Sequence, residues 1–338
     1  MRILKKSVIL VLAVLLLPVW SYAAADSVFI RIDRDDLNAW KEELSNVRFL
    51  QEEGMSGSAQ FSESQFHDLA GKLKEQAKAE KVWVVDCRLE SHGLINGIAV
   101  SWCGEANGAN LGKTVEEVEA EEKALSSLTG TTITAYTAEN DRPVDGQEFA
   151  VKKWETERAL VEAEGMNYLR LACPDHCWPP AEVIDAFIDF AGKPKEDVWL
   201  HFHCQAGSGR TGAFMTIYEM MQKPDAAVEE ILRHQAETGS GNLVDRAAPE
   251  KSHDQKERCV LARAVYQYIS ANRESGYKVK WSEWLETHSR TINMRVGERL
   301  EGEGFSSDQL VVSDSLEAAA PGQATVLVGE DVYFITVH

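Results

Sequence analysis

The sequence predicts an α/β three-layer sandwich, and three observations carry that prediction. Two short apolar runs, Val82–Cys87 and Val198–His203, have the composition of buried strands. Segments with helical patterning are interleaved with strand-like ones rather than grouped in a block. The second apolar run passes through a Gly-containing loop straight into the largely apolar stretch Ala213–Met221, which reads as a buried helix.

Along the chain, Met1–Lys6 is basic, Ser7–Trp20 is apolar, and Ala23-Ala24-Ala25 offers a small-residue cleavage site before Asp26. Residues 1–25 therefore read as a secretory signal peptide. Its apolar part is short against the roughly 20 residues of a membrane span, and no other long apolar run follows, so no stable membrane anchor is expected. Helical patterns lie near Ser62–Ala79, Thr114–Leu128, Lys153–Glu164, Ala181–Ala191, Thr211–Met221, Ala226–Glu237 and Gln255–Arg273. Glu116–Glu122 reads as a solvated helix face. The β-branched run Thr131–Thr137 suits a strand. In the tail, Gln309–Val312 is briefly β-prone and Ala318–Gly322 reads as a loop. Thr325–Val328 and Val332–Val337 flank Gly329-Glu330-Asp331 as a hairpin would. There is no internal repeat and no low-complexity tract.

The chemistry concentrates in His203-Cys204-Gln205-Ala206-Gly207-Ser208-Gly209-Arg210-Thr211-Gly212. A loop between a buried strand and a helix N-terminus turns successive backbone N–H groups into a concave anion site. A cysteine in that field is expected to be a thiolate at neutral pH. Arg210 offers a planar fork to two phosphate oxygens, and Thr211 can hydrogen-bond the sulfur. A bare Cys-x5-Arg is common by chance, but the full pattern after an apolar strand is specific. The bland reading is a buried structural cysteine beside a turn. Metal binding by His201, His203 and Cys204 is the other, and no second ligand cluster with zinc spacing supports it.

Upstream, Cys173-Pro174-Asp175-His176-Cys177-Trp178-Pro179-Pro180 is a loop ahead of a helix. Asp175 suits a general acid that protonates a leaving alcohol and then activates water against a cysteinyl-phosphate. Partial desolvation beside Trp178 would raise its pKa. Taken alone, Asp175 reads as a turn or N-cap residue.

These residues resemble the bacterial protein-tyrosine-phosphatase-like phytases, cysteine enzymes that dephosphorylate myo-inositol hexakisphosphate. The resemblance rests on Val198–Cys204 with Ala206-Gly207-x-Gly209-Arg210-Thr211 and on Asp175-His176-x-Trp178-Pro179. It extends to Val84-Val85-Asp86-x-Arg88-x-Glu90-Ser91-His92-Gly93-x-x-Asn96-Gly97, Ala109–Lys113, Arg233-x-Gln235, Asn272-Arg273-x-x-Gly276-Tyr277 and Trp281-x-x-Trp284-Leu285. It spans about Val47 to His288. It implies a three-layer cysteine-phosphatase sandwich with a small partial β-barrel over residues 26–288; the tail over 289–338 departs from the family's length and reads, on its own residues, as a short β-rich appendage. It also implies that Cys204 is the nucleophile, Arg210 the phosphate clamp and Asp175 the acid. His176, Arg48 and the loop residues Gln205, Ala206, Gly207, Ser208, Gly209 and Thr211 would meet substrate phosphate, with no metal or other cofactor. Asp86 and Arg88 would either support the acid loop or touch substrate. The chain would be periplasmic or secreted.

Two places depart from the family pattern. Gln205 stands where the family usually has Glu. Ala138–Pro143 keeps only Arg142 where a basic pair is expected, and Lys251, Lys256 and Arg258 remain candidates ahead of the last long helix. The formal net charge of -19 argues against nucleic acid and gives no support to an anionic membrane surface. It does not exclude a local basic cleft, since screening acts over about 8 Å. A protein tyrosine phosphatase and a catalytically idle inositol-phosphate-binding module stay open as alternatives. The intact Cys204, Arg210 and Asp175 argue against the idle module.

The remaining expectations concern cysteines and helix surfaces. Cys173 and Cys177 flank the acid and can pair in an oxidising compartment, or stay independent thiols; Cys87 and Cys103 are a weaker pair. Gln235 either orients the hydrolytic water or sits on a helix surface. The nine tryptophans read as core and loop anchors.

Overall fold

The computed structural model describes residues 28–33, 43–77, 79–139, 142–193, 197–245, 252–301, 315–317 and 321–338. The proposed signal segment, Lys251 and the Gln309–Val312 run lie outside them. Along the chain come β1 (Phe29–Ile32), β2 (Arg48–Leu50), β3 (Met55–Ser58), α1 (Glu63–Gln76), β4 (Lys81–Asp86), β5 (His92–Ile95) and β6 (Ile98–Cys103). Then follow α2 (Val115–Ala124), β7 (Thr132–Glu139), β8 (Arg142–Ala150), β9 (Trp154–Glu155), α3 (Glu157–Ala163), β10 (Asn167–Arg170), α4 (Ala181–Ala191) and β11 (Val198–His203). The remainder is α5 (Gly209–Gln222), α6 (Val228–Glu237), α7 (His253–Asn272), α8 (Trp281–Thr287), β12 (Ser289–Met294), β13 (Arg299–Glu301), β14 (Ser315–Glu317), β15 (Gly322–Val328) and β16 (Asp331–Val337).

Helix starts follow local capping chemistry. Ser62, Thr114 and Ser252 each accept from the amide three residues on, and Gln65, Glu117 and Gln255 reach back to the cap amide. The Ser252 cap is why α7 begins ahead of the expected Gln255. The expected helix from Lys153 starts only at Glu157. Trp154 and Glu155 pair with β5 instead, and Thr156 caps α3 by accepting from the Ala159 amide.

The central sheet has the order β10-β4-β11-β3-β2. Its first four strands are parallel, and β2 runs antiparallel to β3. Alternation sends Leu200, Phe202 and Cys204 into one core with α4, α5 and α7. Trp199, Val82 and Val84 enter a second core with α1 and α3. This is the three-layer sandwich the sequence predicts. His203 is level with Ser58 on one side and Asp86 on the other. The carboxyl ends of three strands thus meet where β11 turns into the loop, the usual ligand edge of such a sheet.

The small β unit is an open sheet of order β8-β7-β1-β6-β5-β9, with β8 and β9 at its edges, rather than a closed barrel. In the tail, β15 and β16 form the expected hairpin, and β12 adds in parallel to β16, a strand the sequence reading did not place. This sheet is packed on the sandwich: Val332 is fully buried in the first core, Thr325 Oγ1 donates to Glu257 at 3.1 Å, and Gln267 donates to the Gly329 carbonyl at 2.8 Å. Among the described residues no helix is long and apolar enough to cross a membrane.

Candidate active site

The loop after β11 is built so that its carbonyls face away from its centre. Gln205 O accepts from the Gln60 amide at 3.1 Å, and Ser208 O accepts from the amides of Gly212 at 3.0 Å and Gly241 at 3.1 Å. Ala206 O accepts from Asn46 Nδ2 at 2.8 Å, and Gly207 O from Arg48 Nη1 at 2.9 Å. With the carbonyls tied outward, the amides of Gln205 to Arg210 find no acceptor among the described residues. Gly207 makes the turn at φ +72, and a Cβ there would come within 2.5 Å of the Ser58 and Ala59 backbone. Only glycine fits both constraints. The loop feeds into the N-terminus of α5, whose partial positive charge adds to the amide nest. Cys204 lies at its start, 3 % exposed.

Arg210 is buried and held from below. Glu90 takes both ends of its fork, Nη1 to Oε2 at 2.6 Å and Nη2 to Oε1 at 2.9 Å. Burial works against the Arg210 charge, but Glu90 and Asp175 more than offset it, so the guanidinium stays protonated. Glu90 is fixed in turn by Arg88 Nε at 2.8 Å, and its carbonyl by Arg170 Nη2 at 2.8 Å. Arg88 also reaches Asp33 at 2.9 Å and Gln60 at 2.6 Å. Asp86 accepts from the Arg88 amide at 2.9 Å and from Tyr168 at 2.6 Å. Asp86 and Arg88 are thus structural, acting on the loop through Glu90.

Asp175 sits across from the loop, its Oδ2 3.1 Å from Arg210 Nη2 and 3.1 Å from the Asn107 amide nitrogen. Burial pushes its pKa up, as the sequence reading expected, but Arg210, with help from His176 and Asn107, outweighs burial and Glu90; the net direction is down. The expectation of a raised pKa is corrected. His176 follows with a left-handed backbone, φ +61, and an exposed side chain. Arg258 of α7 completes the rim: its Nη2 would be 2.9 Å from a Cβ on Gly209, and its Nε is buried without a partner.

Other expectations are corrected. Arg48 does not face the open side. It is 9 % exposed and spends its fork on Gly207 O, on Asn46 O at 3.1 Å and on Ser240 Oγ at 3.3 Å, so it supports the loop from behind. Thr211 Oγ1 is buried without a partner, so the bond to the Cys204 sulfur is not made here. Gln205 turns its side chain to Asp33 O at 3.2 Å, and only its amide faces the nest. All six cysteines are free thiols; Cys173 is in the core and Cys177 is exposed, so neither suggested disulfide forms. Gln235 is 1 % exposed and bridges Glu219 at 2.7 Å and Ser240 at 2.9 Å, neither a surface residue nor one aimed at the loop. Both ring nitrogens of His201 are taken, Nδ1 by Ser56 and Nε2 by Ser58, which leaves neither for a metal; burial and His203 lower its pKa. Glu90 and Asn107 are the site residues to which the sequence reading gave no role. Glu90 lies within the Val84–Gly97 stretch that resembles the family; no local pattern marks Asn107.

Among the described residues, three clusters bring possible metal-ligating atoms within 4.8 Å of one another: Glu53–Glu219–His234, Asp86–His92–Glu157 and His253–Asp254–Glu257. Lys223 already occupies the first, the second is enclosed by its own ion pairs, and none contains a residue of the loop. A cavity of about 250 Å³ lies at the far end of β11, between Phe190, Val198, Tyr218 and Tyr277, away from Cys204.

A family model for PTP-like phytases, described as inositol hexakisphosphate, matches residues 85–222. The PTP-like phytase structure from Bdellovibrio bacteriovorus is 30 % identical, covering 77 % of this chain and 95 % of that one, with a TM-score of 0.63. The chain belongs to the PTP-like phytase family. The tandemly repeated PTP-like phytase of Mitsuokella multacida is 32 % identical over 78 % of this member and 50 % of that chain, TM-score 0.71. The PTP-like myo-inositol phosphatase of the same organism, in complex with myo-inositol-(1,3,4,5)-tetrakisphosphate, is 32 % identical over 76 % and 49 %, TM-score 0.70. The effector protein hopD2 of Pseudomonas syringae pv. tomato is 26 % identical over 60 % of this chain and 45 % of that protein. The chain therefore spans about half the length of the Mitsuokella and Pseudomonas relatives.

Proposed function

We propose that this chain is an exported phosphoric monoester hydrolase that removes phosphates from myo-inositol hexakisphosphate through a cysteinyl-phosphate intermediate. The observation that carries the reading is the loop around Cys204: carbonyls tied to its surroundings, amides with no acceptor among the described residues, and Arg210 held by Glu90. Export rests on the character of residues 1–25.

The phosphate settles into the nest with its oxygens on the loop amides and the Arg210 fork, in line with the Cys204 sulfur. The thiolate attacks phosphorus, and charge developing on the equatorial oxygens falls on donors already in place. Asp175 protonates the departing inositol oxygen, then takes a proton from the water that cleaves the S–P bond. The Arg210–Asp175 contact explains how Asp175 becomes an acid. A phosphate dianion draws Arg210 toward itself and adds negative charge beside Asp175, and both changes raise the Asp175 pKa from its depressed resting value. Arg258 and His176 on the rim suit the further phosphates of a polyphosphorylated ring. The inositol tetrakisphosphate complex of the Mitsuokella enzyme supports that substrate class.

The test is phosphate release from inositol hexakisphosphate and from a phosphotyrosyl peptide, side by side. Preference for the inositol phosphate is expected. Preference for the peptide would overturn the substrate and leave the mechanism. Cys204→Ser should bind without turnover, and full turnover would refute the nucleophile. Asp175→Asn should lose far more activity on an alkyl than on an activated aryl phosphate, and equal losses would refute the acid.

A further inference from the structure

Cys204 has a second thiol beside it that the hydrolytic chemistry does not use. β4 and β11 are adjacent and parallel, with Asp86 level with His203, so the next residue on each, Cys87 and Cys204, leave the sheet side by side. The Cys87 amide donates to His203 O at 2.9 Å, which carries the pairing one step past the strands. Val85 and Phe202 are level partners. Val85, Cys87, Phe202 and Cys204 all enter the core beneath α5, so alternation puts both thiols on one face. Neighbouring strands lie about 4.8 Å apart, inside the roughly 4.4–6.8 Å Cα separation that a disulfide spans. Cys87 is held only loosely, its Sγ lying 3.7 Å from Val85 O. The other buried thiol of this region, Cys173, is one strand further out: it follows β10, which pairs with β4 and not with β11.

We propose that Cys87 and Cys204 form a reversible oxidation site, in which Cys87 captures the nucleophile after a peroxide has oxidised it. The Cys204 thiolate attacks one oxygen of hydrogen peroxide, the O–O bond breaks, and hydroxide leaves, giving a sulfenic acid on Cys204. The Cys87 sulfur then attacks the Cys204 sulfur; the S–S bond forms, the S–O bond breaks, and the Cys87 proton leaves with the hydroxyl as water. Burial and the Cys204 charge hold the resting Cys87 well above the ordinary thiol pKa. Oxidation of Cys204 removes that charge, so Cys87 ionises more readily once there is a sulfenic acid to meet. The disulfide shields Cys204 from the irreversible sulfinic and sulfonic steps, and a dithiol restores it. The proposal rests on Cys204 being the reactive thiolate assigned above.

The experiment treats the full chain with hydrogen peroxide, blocks free thiols by alkylation, and maps peptides without reduction. The expected result is a Cys87–Cys204 linked pair, lighter by two hydrogens, with phosphatase activity lost and then recovered by dithiothreitol. Cys87→Ala should keep phosphatase activity when reduced, yet fail to recover after peroxide, with Cys204 found as sulfinic or sulfonic acid; Cys173→Ala should recover like the parent chain. Linkage of Cys204 to Cys173, over-oxidation of Cys204 with no linked pair, or full recovery of Cys87→Ala would overturn the proposal. Should Cys87→Ala not fold, the parent peptide map alone decides. Peroxide that leaves Cys204 untouched would overturn this proposal and the nucleophile assignment together; the over-oxidation outcome overturns this proposal alone.

Discussion

Replacing Glu90 with Gln removes one charge from beneath Arg210 while keeping nearly every atom in place. Glu90 is fully buried and accepts from both ends of the Arg210 fork and from Arg88. An amide accepts through one oxygen and turns its own N–H groups toward a guanidinium, so one of the two contacts becomes repulsive. Losing one partner of a buried ion pair costs about 3–5 kcal/mol; Asp175 and the Cys173 carbonyl stay on Arg210, so the low end of that range is expected. Outright loss of a donor to developing charge costs roughly 100- to 1000-fold in kcat. Here the donor survives but is mis-aimed, and a fall of about 10- to 100-fold follows from misplacement alone. The pH profile gives a sharper test. Glu90's charge raises the Asp175 pKa, so its removal lowers that pKa further. The acid then loses its proton at lower pH, and the basic limb of kcat/KM shifts downward. Initial rates across pH on inositol hexakisphosphate and an activated aryl phosphate measure both effects. A basic limb that stays put or moves upward, or an unchanged kcat, refutes the chain Glu90–Arg210–Asp175.

Gly207→Ala should leave a folded protein with a broken loop. The left-handed backbone costs an L-residue about 1–2 kcal/mol, the contact with Ser58 and Ala59 adds to it, and turnover should fall by about 100-fold while the thermal melt stays cooperative; near-normal kcat would refute the loop account. Acid should unfold the chain steeply. Asp33, Glu90 and Glu157 are buried, which raises their pKa, but their cationic partners outweigh burial and set the folded values below the unfolded ones. Their contribution is present above the unfolded pKa of about 4 and is lost as pH falls through the folded values. Urea midpoints against pH check this, and a midpoint flat below about pH 4 would contradict it.

The loop was legible because its parts are contiguous: an apolar strand, a cysteine, glycines, an arginine and an apolar helix occupy one stretch, and α4 and β11 fall where the pattern puts them. What the sequence hid is what the fold brings from afar. Glu90 meets Arg210 across 120 positions, and Asn107 meets Asp175 across 68; no local period signals either. Arg48 illustrates the converse. The family resemblance implies that Arg48 meets substrate phosphate, and only the folded chain shows its fork spent on Asn46 O, Gly207 O and Ser240 Oγ. Gln235 looked like a surface residue because α6 is amphipathic, yet it lies on the buried stripe, where Glu219 of α5 needs a donor. The direction of the Asp175 shift was also out of reach, since burial beside Trp178 is readable but the opposing Arg210 contact is not.

A net charge of -19 and the proposed polyanionic substrate are compatible once the origin of the site's positive potential is considered. Much of it comes from amides whose carbonyls are tied elsewhere, and from a helix terminus. Neither depends on the count of lysines. The arginine at the centre, Arg210, is paired with Glu90 and touched by Asp175. In the mechanism proposed above, phosphate entry changes that balance: Arg210 turns from Asp175 to the substrate, and Asp175 gains the proton it donates. A site of this kind needs no basic surface, because the anion itself completes the charge arrangement that its hydrolysis requires.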